Sequence, residues 1–392
     1  MTKSYNHLWE NMIDPANMER CIKKASRGKR KRQSVRKVLN DMDGHIRELT
    51  DLLDNEQLKP VHCEKAKTTE GSRRKERKIS KVGFKYEQIV DHLLLSQLVP
   101  ILEKKQIQHS YSCIEGRGPH KAKRTAQIWC NSYKGKKFYV AELDVKSAYE
   151  TVDLDLLYSR YKKMIRDQKF LRLIERNIYG TYNPTKEDRE RAKKEGLPLG
   201  RSTSPWHANF YFQTLDYYIL QELKPDHYMR FADNLFLWSK SKKELHKMVR
   251  AIGDYLQVNL HQRLKGDWQV YRFEYFERKT EKTRGRTINC IGFVIHHNRV
   301  TMRKSILKRK RRRVYRLDKK LKTGKKITHK LASAILSDIG EFRHYRCHNY
   351  FEEYLAPILT KKVKRLLRKI VREHQKKEDA KYGGIGMAVC TG

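Results

Sequence analysis

No apolar run in the 392 residues is long enough to cross a bilayer, and no hydrophobic leader follows Met1, so the chain reads as cytoplasmic with no membrane partner. The seven cysteines are odd in number and none forms a CxxC pair. That argues against a zinc ribbon and for a reducing cytosol. His344, Cys347 and His348 crowd the stretch "RHYRCHNY", but two or three soft ligands on one segment do not complete a tetrahedral site. Internal repeats are absent. Acidic residues are scarce beside basic ones, 45 against 88, leaving a formal charge of +43. Unneutralised, such an excess repels itself, so a polyanionic partner is expected, nucleic acid ahead of an anionic membrane surface. Hydrophobic residues make up only 38%, yet 22 Tyr and 12 Phe supply bulk for a core, and the length suits two or three packed units.

Along the chain, helical spacing over 1–60 predicts two helices with a basic interruption, "KKASRGKRKR". Residues 61–80 are polar and read as a loop rich in donors. A helix follows from Phe84 to Leu102, with Pro100 marking its end. The segment 137–161 begins as a strand and becomes helical after Asp144. Residues 196–223 read as a glycine-proline turn and a long helix. "HYMRF" and "LFLWS" form a strand pair around Ala232-Asp233-Asn234, and a helix over 241–257 comes next. Residues 287–302 read as a hairpin turning at His297-Asn298. From Arg303 to about Arg372 the chain is helical and very basic, and "YGGIGMAVCTG" reads as a flexible tail.

Asp144 and Asp233 each close a predicted strand amid apolar residues. If those strands are antiparallel neighbours, both carboxylates project from one edge, where they would repel without a cation between them. Magnesium takes oxygen ligands of this kind together with phosphate oxygens, and a pair of such ions suits in-line phosphoryl transfer. A bland alternative is that each aspartate caps a turn.

Six segments in order resemble those of a reverse transcriptase. "ERKISKVGFKYEQIVDHLL" and "CIEGRGPHKA" resemble finger segments. "LDVKSAYETVD" and "GLPLGRSTSPWHANFYFQTLD" resemble the first two palm motifs. "MRFADNLFLW" resembles the Tyr-Ala-Asp-Asp hairpin, and "INCIGFVI" the primer grip. The start "LWENMIDPANMERCIKKASRGKRKR" and the basic "TMRKSILKRKRRRVYRL" resemble bacterial enzymes of diversity-generating retroelements, although Ser204-Pro205 stands where that type usually has Ser-Gln. Reverse transcriptases of phage-defence systems fit the mixed signature at least as well. The resemblance implies an α+β right-hand polymerase fold: a helical extension over 1–60, fingers and palm over 61–300, a helical basic thumb over 301–375 and a tail over 376–392.

It implies RNA-directed DNA synthesis with Mg2+, or Mn2+, from deoxynucleoside triphosphates on a bound non-coding RNA, giving a DNA product. Further copies of the chain or a second reverse transcriptase are further expected partners. By the same resemblance Asp144 and Asp233 hold the ions and Val145 adds its backbone carbonyl. Tyr149 excludes a ribose 2′-hydroxyl, and Arg77 and Lys81 meet the triphosphate. Gly200 allows close backbone approach, while Leu199 replaces a usual glutamine. Ile291, Gly292 and Phe293 form the primer grip, and Lys265 is a weaker candidate for protonating pyrophosphate. Asn234 replaces the second acid of the hairpin. An amide offers a metal one oxygen without charge, and some viral RNA polymerases with Gly-Asp-Asn there are active. Two readings compete with templated synthesis: a catalytically silent RNA-binding scaffold, and untemplated or protein-primed synthesis.

Overall fold

The computed structural model describes residues 4–70, 75–342 and 348–383, with side chains over 4–66, 79–342 and 351–375. The chain divides into two compact units, one of Met1–Glu70, Glu76–Ala122 and Lys136–Arg272, the other of Gly71–Lys75, Lys123–Gly135 and Phe273–Gly392.

The first unit opens with four helices where helical spacing predicted two: α1 (Leu8–Ile13), α2 (Pro15–Ser26), α3 (Gln33–Asn40) and α4 (Met42–Asp54). The extra breaks are capping events. Asp14 accepts the Asn17 N–H at 3.0 Å ahead of Pro15, and Asp41 accepts the Gly44 N–H at 3.1 Å. The polar stretch that reads as a loop is instead a hairpin, β1 (Glu64–Glu70) and β2 (Lys75–Lys81). Their sequences, EKAKTTE and KERKISK, are charged and polar almost throughout, so no period-two apolar pattern announces them. After a π-helical turn, Phe84–Gln88, α5 (Ile89–Lys104) runs straight through Pro100. Pro100 lies on the exposed side of α5, where water can satisfy the carbonyl it leaves unbonded. Helices α1 and α2 pack on α5, and the amino-terminal helices share one hydrophobic core with it.

Next come α6 (Pro119–Ser132), which the division between units crosses, and β3 (Tyr139–Asp144). Turns, not helix, follow Asp144, until Asp153 caps α7 (Leu154–Met164) by accepting the Leu156 N–H at 2.9 Å. Helices α8 (Gln168–Tyr179), α9 (Lys186–Glu195) and α10 (Ser204–Tyr218) precede the hairpin β4 (His227–Phe231) and β5 (Asn234–Ser239), then α11 (Lys242–Leu260) and β6 (Gln269–Arg272). The sheet is antiparallel in the order β4-β5-β3-β6. Strand β5 is central, and Leu235 to Trp238 are all buried, which explains its unbroken apolar run. Helix α11 packs on β3, β5 and β6.

In the second unit, β7 (Tyr275–Glu277) pairs with β8 (Lys282–Arg284). Residues 287–302, which read as one hairpin, contain a three-stranded meander of β9 (Ile288–Cys290), β10 (Phe293–Ile295) and β11 (Val300–Met302). The extra reversal falls at Ile291-Gly292, both with positive φ, where continued apolar residues hide the turn. Four helices follow: α12 (Lys304–Lys322), α13 (His329–Phe342), α14 (His348–Tyr354) and α15 (Lys361–Gly383). Among the mostly exposed cations of α12, Lys310 is buried and ion-paired to Asp338 at 2.6 Å and to Glu341. Residues 384–392, within the expected tail, and His344 and Cys347 lie outside the described residues.

Candidate active site

The register of the central sheet sets the geometry. Asp144, the last residue of β3, stands directly opposite Asn234, the first of β5. Beyond that pair the Val145 N–H donates to the Asp233 carbonyl at 3.0 Å. Asp144 and Asp233 thus come from the adjoining ends of neighbouring strands, and both are half-exposed. Only two residues, Ala232 and Asp233, turn the β4–β5 hairpin. Ala232 has φ 55, a position that two-residue hairpins of this kind usually give to glycine. A non-glycine residue held there stores strain.

A third segment closes the edge. Val145 pairs with Leu264, the Lys146 N–H donates to the Arg263 carbonyl at 2.8 Å, and the Lys265 N–H donates to the Asp144 carbonyl at 2.8 Å. This carries the Lys265 ammonium onto the Asp144 carboxylate as an ion pair. Asn234 turns its amide the other way, its Nδ2 donating to Asp233 Oδ1 at 3.0 Å. Tyr149 belongs to the turn after β3 and is half-buried. Burial first, then nearby Cys113 and Asp233, push its hydroxyl well above the ordinary tyrosine range, so it stays protonated and near Asp233.

Beneath the turn lies a network that the motifs do not contain. Arg230 is 1% exposed and forks onto Asp216, with Nε and Nη2 at 2.9 and 2.7 Å from its oxygens. Its Nη1 donates to Asn209 Oδ1 at 3.0 Å and to the Ala232 carbonyl at 3.2 Å. Asp216 also accepts the Tyr228 hydroxyl at 2.7 Å. The guanidinium therefore holds the backbone of the strained residue just before Asp233. The available signal was a lone arginine in "HYMRF" and a lone aspartate in "FQTLDYYIL": isolated opposite charges in apolar runs mark a buried pair.

A second buried chain supports the loop before α10. Tyr161 O–H donates to His207 Nδ1 (2.8 Å), His207 Nε2–H to Asn177 Oδ1 (3.0 Å), and Asn177 Nδ2 to Asp91 Oδ1 (3.0 Å). Arg201 Nη2 completes it on Asp91 Oδ1 at 2.6 Å. Burial pushes His207 down to about 3, so its imidazole is neutral.

The other sequence-derived residues fall elsewhere. Gly200 has φ 110, and a Cβ there would stand 2.6 Å from the Ser80 carbonyl, so the close approach it permits is to β2. Arg77 lies in β2, in the part of the strand where only the backbone is described. Lys81 is exposed on the rim of a cavity of about 530 Å³ shared with Leu58, Pro60 and Tyr86. Ile291, Gly292 and Phe293 belong to the second unit, where Phe293 is buried with the Lys123 ammonium 5.4 Å from its ring centre. Among the described residues no cluster of three His, Cys, Asp or Glu forms a metal-binding group, and no helix is long and apolar enough to cross a membrane.

Known proteins share parts of this chain. Over 138 residues it is 30% identical to the uncharacterized 91 kDa protein in cob intron of Schizosaccharomyces pombe, covering 35% of this chain and 16% of that protein. It is 25% identical over 209 residues to the putative COX1/OXI3 intron 1 protein of Saccharomyces cerevisiae, covering 50% and 23%. Protein YkfC of Escherichia coli is 29% identical over 136 residues, covering 34% and 35%. The chain thus spans about a third or less of the length of these relatives. Among solved structures, a Candida albicans telomerase in complex with a fragment of telomeric RNA aligns over 85% of this chain and 66% of that one, at 11% identity and a TM-score of 0.44. Residues 65–263, half of the chain and the stretch that carries Asp144, Tyr149, Asp233 and Asn234, match the reverse transcriptase (RNA-dependent DNA polymerase) family, and the chain belongs to that family.

Proposed function

We propose that this chain copies a bound non-coding RNA into DNA by two-metal nucleotidyl transfer at Asp144 and Asp233. One observation carries the reading: register and the Val145–Asp233 backbone bond bring two carboxylates of adjacent strand ends to a single sheet edge. The donors gathered there are hard oxygens, which fit Mg2+ and, second, Mn2+. Asp144 and Asp233 hold the ions and Val145 adds its carbonyl. When bound, the ions supply charge against the phosphate oxygens at the moment of transfer. Everything else belongs to the chain. Tyr149 excludes a 2′-hydroxyl, Lys265 keeps a proton beside Asp144 for the departing pyrophosphate, and Arg77, Lys81 and Gly200 shape the approach of the triphosphate. In the second unit, Ile291, Gly292 and Phe293 support the primer. Residues 301–375 serve as a basic thumb for the RNA–DNA duplex.

The proposed setting is a bacterial retroelement or an anti-phage system acting in the cytoplasm. The two yeast relatives described as intron proteins favour an intron-borne element as the alternative setting. A silent RNA-binding scaffold is favoured by one observation, the neutral Asn234 beside Asp233. The test is to purify the protein with its co-bound nucleic acid, add labelled deoxynucleotides with Mg2+ or Mn2+, and sequence what grows. A product complementary to a bound RNA supports templated copying and names the template. Product unrelated to any bound RNA means untemplated synthesis, and RNA bound without product means the scaffold.

A further inference from the structure

Residues 196–200, between α9 and α10, form a strap tied at both ends. At one end Gly196 has φ 65 and ψ −153, a conformation that side chains disfavour. A Cβ there would stand 2.4 Å from the Tyr149 carbonyl oxygen and 2.5 Å from that of Glu150. The next N–H, of Leu197, donates to the same Tyr149 carbonyl at 2.8 Å. At the other end a Cβ on Gly200 would meet the Ser80 carbonyl, and the Ser80 N–H donates to the Leu199 carbonyl at 2.7 Å. Between the ties Leu197 is buried and Ser204 Oγ donates to the Pro198 carbonyl at 2.7 Å, so the strap does not slide freely.

Tyr149 itself lies in no helix or strand. Its turn is closed locally by Glu150 and Thr151 N–H groups donating to the Ser147 carbonyl, and Gln262 Nε2 holds the Ala148 carbonyl at 3.1 Å. The Tyr149 carbonyl is held from outside this turn, by the Leu197 N–H of the strap. We propose that Gly196 is a positioning residue for sugar selection: it lets the strap seat against the Tyr149 carbonyl and so sets where the Tyr149 ring meets the incoming ribose. This rests on the reading of Tyr149 as the group that excludes a 2′-hydroxyl. Relieving a 2.4 Å contact requires a relative shift of about 1 Å between the strap and the Tyr149 backbone, and a displacement of that size at a substrate-positioning group costs up to about a hundredfold.

The experiment compares deoxynucleotide with ribonucleotide incorporation, as kcat/KM ratios, in Gly196→Ala, Tyr149→Ala, the double variant and Gly200→Ala. Gly196→Ala is expected to lose at least about tenfold of the discrimination. The double variant should discriminate no worse than Tyr149→Ala, because both act through one ring. Gly200→Ala, which presses on β2, should raise KM with discrimination kept. If Tyr149→Ala discriminates like the unaltered protein, the gate reading fails and the inference with it. If Tyr149→Ala loses discrimination and Gly196→Ala keeps it, the inference alone is overturned. Should melting show that Gly196→Ala does not fold, Ser204→Ala, which removes the bond that holds the strap at the Pro198 carbonyl, carries the same comparison: lost discrimination is expected, and discrimination kept would overturn the inference.

Discussion

At the scale of single residues, Asn234 decides how the edge handles charge. Its amide donates to Asp233 Oδ1 and brings no negative charge of its own, so the edge presents two carboxylates where an aspartate there would give three. Asn234→Asp is therefore expected to lower the Mg2+ concentration for half-maximal incorporation by about tenfold, with a smaller change for Mn2+. A metal titration of incorporation rate checks this, and equal behaviour of the two proteins would refute it. Arg230 acts differently: it is buried, paired, and bonded to the carbonyl of strained Ala232. Arg230→Met takes the cation away from buried Asp216, and denaturant melts should show a loss of about 3–5 kcal/mol. Adding Asp216→Leu should recover part of that stability without restoring full activity, because the bond to the Ala232 carbonyl stays lost.

At the scale of elements, the loop before α10 hangs from the chain Tyr161–His207–Asn177–Asp91–Arg201. His207 is held neutral, its pKa lowered to about 3 from an ordinary 6.5. Between those values the unfolded chain binds a proton that the folded chain refuses, so stability falls as pH drops below about 6.5 and is fully present above it. Replacing the imidazole with an uncharged acceptor-donor, His207→Gln, should flatten that slope in melts from pH 7 to 4.5. The same slope in both proteins would contradict the assignment. Sequence made some of these elements readable and hid others. Strands β4 and β5 were plain because apolar residues flank one aspartate on both sides, and the edge carboxylates followed from them. The hairpin β1–β2 was hidden by its charged and polar sequence, and the Ile291-Gly292 turn by the apolar residues around it. Lys265 lies 121 residues from Asp144, and only the antiparallel pairing of Val145 with Leu264 brings the two together. The Arg230–Asp216 pair was legible only as two charges out of place.

At the scale of the whole molecule, a charge of +43 needs neutralising, and helix α12 keeps most of its lysines and arginines exposed, with Lys310 buried on Asp338. Membership of the reverse transcriptase family and this charge both agree with the proposed nucleic-acid partner, whose phosphates would neutralise the excess of cations. The central claim is narrower, that the edge formed by Asp144 and Asp233 performs the transfer. It is tested most directly by incorporation of labelled deoxynucleotides, with Mg2+ or Mn2+, by the protein carrying its co-bound RNA, beside Asp144→Ala and Asp233→Ala preparations that bind the same RNA and melt at comparable temperature. The account predicts product from the unaltered protein and a loss of at least about a hundredfold in each variant, with RNA binding kept. Incorporation that survives both substitutions would contradict it.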